Sequence, residues 1–257
     1  MNNRQSKILE AIARQQRIEV TDLAKRMNVS PVTIRKDLDQ LEQRGLIRRE
    51  HGYAYIETGS NDGTQLVYNY EIKHRIAQAA AASVEENETV MIGCGSCCVI
   101  LAEELAYTKK DVTIITNSAF IANYINKSPH GKIILLGGYY QRNSQVLVGP
   151  IAHKNAELFS PNKFFISANG FSETFGFTGH DYFRAQTVQE LAKQARQVVM
   201  LFDSEKFSNS GVVKVASVEN INVMYTDAGI PPEKEAHLLQ NNILVHKVPA
   251  SKAGVQA

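Results

Sequence analysis

Apolar residues along the chain follow two rhythms, and the change between them divides it. Early on the spacing is helical. Ile8, Leu9 and Ile12 predict a helix over Arg4 to Gln16, and Leu23, Ala24 and Met27 a shorter one over Val20 to Asn28 with Thr21 as its cap. Ile34, Leu38 and Leu41 place one stripe of a third helix inside and leave Val32, Thr33, Arg35, Lys36, Asp39 and Gln40 outside or at its edges. The Ser30 hydroxyl caps this helix, Pro31 suits its first turn, where an N–H would be unbonded anyway, and Gly45 ends it. Only Val29 and Ser30 separate the second helix from the third, a connection that predicts a helix-turn-helix. Leu46 to Arg49 and Tyr53 to Ile56, turned around Glu50, His51 and Gly52, predict a two-stranded wing.

After Tyr70 the rhythm alternates. Helical patterns over Tyr70 to Glu86, after Ser96, over Ser118 to Lys127 and over Arg184 to Arg196 alternate with short apolar runs. These runs, at Thr89 to Ile92, Val112 to Thr116, Lys132 to Leu136, Lys163 to Ala168, Val198 to Phe202 and Val223 to Thr226, read as strands. Such alternation predicts an α/β fold with a mostly parallel sheet covered on both faces. Glu57 to Asn69 lacks apolar periodicity and contains Gly59, Ser60, Asn61, Asp62 and Gly63. The expected organisation is therefore a winged helix-turn-helix over 1–58, a linker over 59–69 and an α/β domain over 70–257.

Charge decides between two readings of the first domain. A three-helix protein-interaction module would have the same stripes, with its charges a solvated face. Residues 1–58 hold 11 Lys+Arg against 8 Asp+Glu, while the whole chain of 257 residues is only +2. The positive excess sits on the helix-turn-helix, where binding that displaces counterions from DNA needs it. Ser30, Thr33, Arg35 and Lys36 are expected at the groove, with Arg48, Arg49 and His51 at phosphates or the minor groove beside the wing. No apolar run approaches the roughly 20 residues of a membrane span, so a cytoplasmic protein without a membrane partner is expected. Three cysteines crowded at Cys94, Cys97 and Cys98 fit a reducing compartment better than a disulfide framework.

Polar, glycine-rich junctions recur at the carboxyl ends of the expected strands, where α/β sheets hold ligands and helix N-termini attract anions. They are Gly93, Cys94, Gly95, Ser96 and Cys97; Thr116, Asn117 and Ser118; Gly137 and Gly138 with Arg142; Asn169 and Gly170; and Asp203 to Lys206. Each alone is an ordinary strand-to-helix turn. Their repetition predicts a pocket for a phosphorylated small molecule. The cysteine cluster raises two other chemistries. It supplies at most three thiolates without a second cysteine pair, so no metal is expected. Packing of small thiols is the expected role, with a redox-responsive thiol as the sharper alternative, because a helix N-terminus can lower the pKa of a cysteine such as Cys97 or Cys98.

These segments resemble the DeoR family of bacterial sugar-metabolism regulators. The family pattern VS-x-x-TIR-x-DL-x-x-LE-x-x-G-L-x-x-R-x-HGGA is matched from Val29 to Ala54, except that Tyr53 replaces the second glycine. Downstream the resemblance continues through Lys73 with Ile76 and Ala77, the Gly93 to Cys97 loop, Thr116 to Ser118, Gly137 and Gly138 with Arg142, Gly149, and Asp203 to Phe207. It implies a C-terminal domain like the sugar-phosphate isomerase and CoA-transferase superfamily, a phosphosugar effector, and a transcriptional repressor of carbohydrate genes. Two departures stand out. Where relatives usually carry D-S-G-T-T, this chain has Gly93, Cys94, Gly95, Ser96 and Cys97; and His180, Asp181, Tyr182 and Arg184 stand where relatives commonly carry a glutamate. His180, Tyr182 and Arg184 are thus candidates for effector choice. An enzyme using Asp203 as base and Lys206 as electrostatic helper is the alternative from another class, disfavoured because the loop that commonly carries an acid has Gly93. A purely architectural DNA-binding protein is a third. No cofactor is expected. Double-stranded operator DNA is the expected partner, bound by a homodimer or homotetramer, because one winged module reads too few base pairs.

Overall fold

The structure is a computed structural model that describes residues 3–56 and 65–249. It divides into two compact units, Met1–Glu71 and Ile72–Ala257. Residues 57–64, which hold most of the expected linker, lie outside the described residues; at its far end Leu66 and Val67 are buried.

In the first unit, helices α1 (Asn3–Gln15), α2 (Val20–Met27) and α3 (Pro31–Gln43) pack around Ile8, Leu9, Ile12, Leu23, Ile34, Leu38, Leu41 and Leu46, all fully buried. A three-stranded sheet lies beside them in the order β1 (Arg17–Glu19), β3 (Tyr53–Ile56), β2 (Ile47–Glu50). The sequence reading lacked β1, whose three residues contain a single apolar one, too few to show a period. β1 also alters the start of α2. That helix begins at Val20 from Glu19, with no side-chain cap, so Thr21 sits inside the first turn rather than capping it; the Val20 amide instead donates to Gly52 O at 3.0 Å. The wing turns through His51 and Gly52, both at positive φ, the geometry of a two-residue type I′ hairpin. Tyr53 already belongs to the strand, so the turn asks no positive φ of it and tolerates the loss of the second family glycine.

The second unit is built on a seven-stranded sheet. Its strands are β4 (Thr89–Ile92), β5 (Thr113–Thr116), β6 (Lys132–Leu135), β9 (Lys163–Ile166), β12 (Gln197–Leu201), β14 (Val223–Asp227) and β15 (Leu244–Val248). Every pair is parallel, in the order β15-β14-β12-β9-β4-β5-β6. Burial of both faces explains the near-continuous apolar runs of the central strands. Phe164, Phe165, Ile166, Met200, Leu201 and Phe202 are all fully buried. Two antiparallel additions are absent from the sequence reading: the hairpin β7 (Tyr139–Gln141) and β8 (Val146–Val148), and a sheet of β10 (Gly170–Ser172), β11 (Gly176–Gly179) and β13 (Val213–Ala216). From β4 the strand order runs through β5 and β6 on one side and starts again with β9 on the other. The crevice beyond the carboxyl ends of β4 and β9 is thus the topological switch point, where open α/β sheets take their ligands.

Candidate functional site

The outer side of α3 carries the first candidate surface. Ser30 Oγ accepts from the Thr33 amide at 3.2 Å and lies 3.0 Å from Thr33 Oγ1, so the cap also fixes the Thr33 hydroxyl. Arg35 and Lys36 are exposed, while Asp37, on the inner side, is buried and takes two hydrogen bonds from Arg4 of α1. His51 stands exposed at the hairpin tip, and Arg48 is exposed beside Glu50, 3.2 Å away. Arg49 is placed differently. Its Nη2 is 2.8 Å from Glu42 Oε2 and 2.5 Å from Asp39 Oδ1, and its amide donates to Glu42 Oε1 at 2.9 Å. Burial works against the cation, but its hydrogen bonds to both carboxylates outweigh it and hold Arg49 above the ordinary arginine value. Arg49 therefore fastens the wing to α3. Sequence reasoning also missed Arg17, whose guanidinium stacks 3.7 Å over the Tyr53 ring, because β1 itself was not legible.

At the switch point, Gly93 follows β4 and the chain enters the helix Ser96–Thr108 through Gly95 at φ +118, a conformation that favours glycine. A Cβ on Gly95 would also stand 3.1 Å from Ser167 Cβ, so the loop after β9 lies against this turn. No side chain caps the helix. Two lysines interact electrostatically with Cys97 in its first turn instead. Lys206, on the 3-10 turn Ser204–Ser208, donates to Ser167 Oγ at 3.3 Å and lies 3.2 Å from Asp203 Oδ2. Lys73, on the helix Tyr70–Ala81, is buried and within electrostatic reach of Cys97, Lys206 and Asp203. Burial, with Lys206 adding to it, pulls Lys73 below the ordinary lysine value. Burial also acts against Lys206, yet Cys97 and Asp203 offset it and leave that group raised. The signal for Lys73 was in the sequence: it occupies the buried stripe of its helix with Ile76, Ala77 and Ala80. Ser167 had no such mark.

The other end of the loop meets a different group. Arg184 Nη2 donates to Cys94 Sγ at 3.1 Å, while Asp181 Oδ1 accepts from the Arg184 amide at 2.8 Å as the cap of the helix Tyr182–Ala192. Gln141 Nε2, from the β7–β8 hairpin, donates to Asp181 Oδ2 at 3.0 Å, a contact the sequence gave no reason to expect. Val146 and Val148 of the same hairpin pack on Cys94. His180 and Tyr182, by contrast, are exposed.

Several expected pocket groups serve the backbone. Thr116 Oγ1 accepts from the Ser118 amide and Ser118 Oγ from the Ile121 amide, both at 3.1 Å, so these hydroxyls shape the loop and cap the helix Ala119–Tyr124. Asn117 Nδ2 donates to Leu147 O at 2.9 Å, and its buried Oδ1 has no hydrogen-bond partner among the described residues. Gly138 backs onto β8, where a Cβ would stand 2.9 Å from Val148 O. Arg142 and Asn169 are exposed, Arg142 in the β7–β8 turn and Asn169 with its amide bonded to Thr178 O. The three cysteines are buried, as packing of small thiols requires, and burial pushes the Cys97 thiol up, which does not favour the redox alternative at that residue. No group of three or more metal-ligating side chains occurs among the described residues.

Comparison with known proteins fits this geometry. The model of the DeoR C terminal sensor domain matches residues 68–228, and that of the DeoR-like helix-turn-helix domain matches residues 4–58. The chain belongs to the DeoR family. Among DeoR-family relatives, the HTH-type transcriptional regulator GolR of Listeria innocua is 31% identical over 228 residues, covering 87% of this chain and 89% of that one. The L-fucose operon activator of Haemophilus influenzae is 26% identical over 250 residues, covering 95% and 99%. Among solved structures, ribose 5-phosphate isomerase A of Neisseria gonorrhoeae matches with a TM-score of 0.39 at 18% identity, over 58% of this chain and 56% of the isomerase. The full-length sorbitol operon regulator SorC of Klebsiella pneumoniae matches with a TM-score of 0.39 at 11% identity, over 91% and 97%. The protein is a DNA-binding transcriptional regulator, not an enzyme. Among the described residues, no helix is long and apolar enough to cross a membrane.

Proposed function

We propose that the protein is a repressor of carbohydrate-metabolism genes whose affinity for operator DNA is changed by a phosphorylated sugar or related metabolite. The observation that carries the effector half is the convergence of Lys73 and Lys206 on the uncapped first turn of the helix Ser96–Thr108, beside Cys97. A dianionic phosphate satisfies such a place: it offsets the charge of two desolvated lysines and accepts from helix N-terminal amides. Asn117 Oδ1, buried without a hydrogen-bond partner among the described residues, suits a sugar hydroxyl. Gly93, Cys94, Gly95, Ser96 and Cys97 form the cradle, and Arg184 stands at its far end. A relative named for the L-fucose operon supports the carbohydrate reading.

For DNA, Ser30, Thr33, Arg35 and Lys36 face the groove, with Arg48 and His51 beside the wing, and Arg49 acts through the wing's position. Binding to operator half-sites calls for a homodimer or homotetramer in the cytoplasm. Control requires that the effector bind the DNA-competent and DNA-incompetent arrangements with different affinity. The test is thermal stabilisation by a panel of sugar phosphates beside the unphosphorylated sugars, since a ligand of the folded state alone raises the melting temperature. We expect a shift only from phosphorylated compounds, lost in Lys206→Ala; equal shifts from both classes would sink the phosphate assignment.

A further inference from the structure

We infer that Arg17 is a further DNA-contacting residue, which takes a backbone phosphate of the duplex beside the wing, and that Tyr53 is the positioning residue that holds its guanidinium for that contact. Arg17 lies on β1, outside the groove and wing residues named above, and its role rests on the DNA reading of the first unit.

The three-stranded sheet of this unit has a buried face and a solvent face. Ile18, Ile47 and Ala54 are buried, and strand alternation puts Arg17, Glu19, Arg48, Glu50, Tyr53 and Tyr55 on the other side. Arg17 is paired in register with Tyr55, and Tyr55 with Arg48. The Arg17 guanidinium nevertheless lies 3.7 Å over the Tyr53 ring and 5.7 Å from that of Tyr55, so its side chain runs along the sheet toward the His51 and Gly52 turn. β1 is tied to the same turn where it passes into α2, through the bond from the Val20 amide to Gly52 O.

The three arginines of this sheet differ in their partners. Arg49 is fastened to Glu42 and Asp39, and Arg48 stands 3.2 Å from Glu50. Arg17 is exposed, and among the described residues its guanidinium meets ring faces and no carboxylate. A ring that covers the flat face of a guanidinium leaves the N–H edge in solvent, and that edge is the part that gives paired hydrogen bonds to phosphate oxygens. The stacking also holds a long side chain in place before binding, which lowers the ordering cost of the contact. Glu19 and Glu50 flank Tyr53 in the register, so the positive spot is narrow and suits one phosphate rather than a run of them. The ring stands where the family pattern has its second glycine, and a glycine there would leave Arg17 without this platform.

The experiment titrates the full-length protein, across a salt series, with two DNA duplexes: one that the unaltered protein has selected from a randomised pool, and one of mixed sequence. Arg17→Gln should weaken both about tenfold, because a phosphate contact is blind to sequence. It should also lower the slope of log affinity against log salt by about 0.9 per bound protomer, the counterion release of one phosphate. Tyr53→Phe should bind like the unaltered protein. Tyr53→Leu should weaken both duplexes about threefold, and should add nothing in the Arg17→Gln background, a coupling that a merely structural ring would not produce. Unchanged affinity and slope in Arg17→Gln overturn the inference. A loss confined to the selected duplex overturns the phosphate contact by placing Arg17 on a base, and additive losses from Arg17→Gln and Tyr53→Leu overturn the positioning role. Failure of the unaltered protein to select any duplex overturns the DNA reading itself.

Discussion

Lys73 holds its amino group in one of the driest places of the second unit, and the sign of its shift fixes how the site answers to pH. Its folded value lies below its unfolded one, so between the two the unfolded chain binds more protons and the ligand-free protein gains stability as pH rises. Lys206, shifted upward, acts oppositely: its contribution is full below the unfolded lysine value and lost as pH rises through its folded value. A phosphate beside Lys73 restores the ammonium. Binding of inorganic phosphate should therefore take up a proton at pH values below the ordinary lysine range, read as a dependence of calorimetric heat on buffer ionisation. Lys73→Met should remove that uptake; uptake unchanged in the variant would place the proton elsewhere. Cys97 leads to the opposite expectation. With its thiol pushed up by burial, mild peroxide should leave operator binding unaltered, and a loss that Cys97→Ser prevents would reinstate a redox role.

Among the elements, the recognition helix was the most legible and the wing the least complete. Ser30, Pro31, the stripe Ile34, Leu38 and Leu41, and Gly45 each act through local geometry, so their roles were readable from spacing and stood where expected. Ser30→Ala should cost about 1 kcal/mol of stability, seen as a lower denaturation midpoint, because the Thr33 amide loses its cap. The central strands were legible for a related reason, burial on both faces, which writes a continuous apolar run. β1, β7, β8, β10, β11 and β13 were not, since each has only three or four residues and owes its place to pairing with distant chain. The same holds in the site. The glycine loop and Lys206 were visible as motif residues, whereas Ser167 and Gln141 became partners only through the sheet order and the hairpin.

For the whole molecule the expected division of labour is sharp. Arg35→Ala should weaken operator binding by about tenfold or more while sugar-phosphate binding is kept, and Lys206→Ala should do the reverse. Equal damage to both activities by both variants would contradict the separation. Light scattering at micromolar concentration should give the mass of a dimer or tetramer, and a monomer would leave the operator-binding scheme without its second half-site. The fastening of Arg49 to Glu42 and Asp39 has a further result for how such an operator is read. A wing joined to the recognition helix by its own backbone amide and guanidinium moves with it, so in the proposed operator complex base identity in the major groove and groove width beside it would be sampled by one rigid body. Operator substitutions at the two places should then combine non-additively, and Arg49→Ala should make them independent.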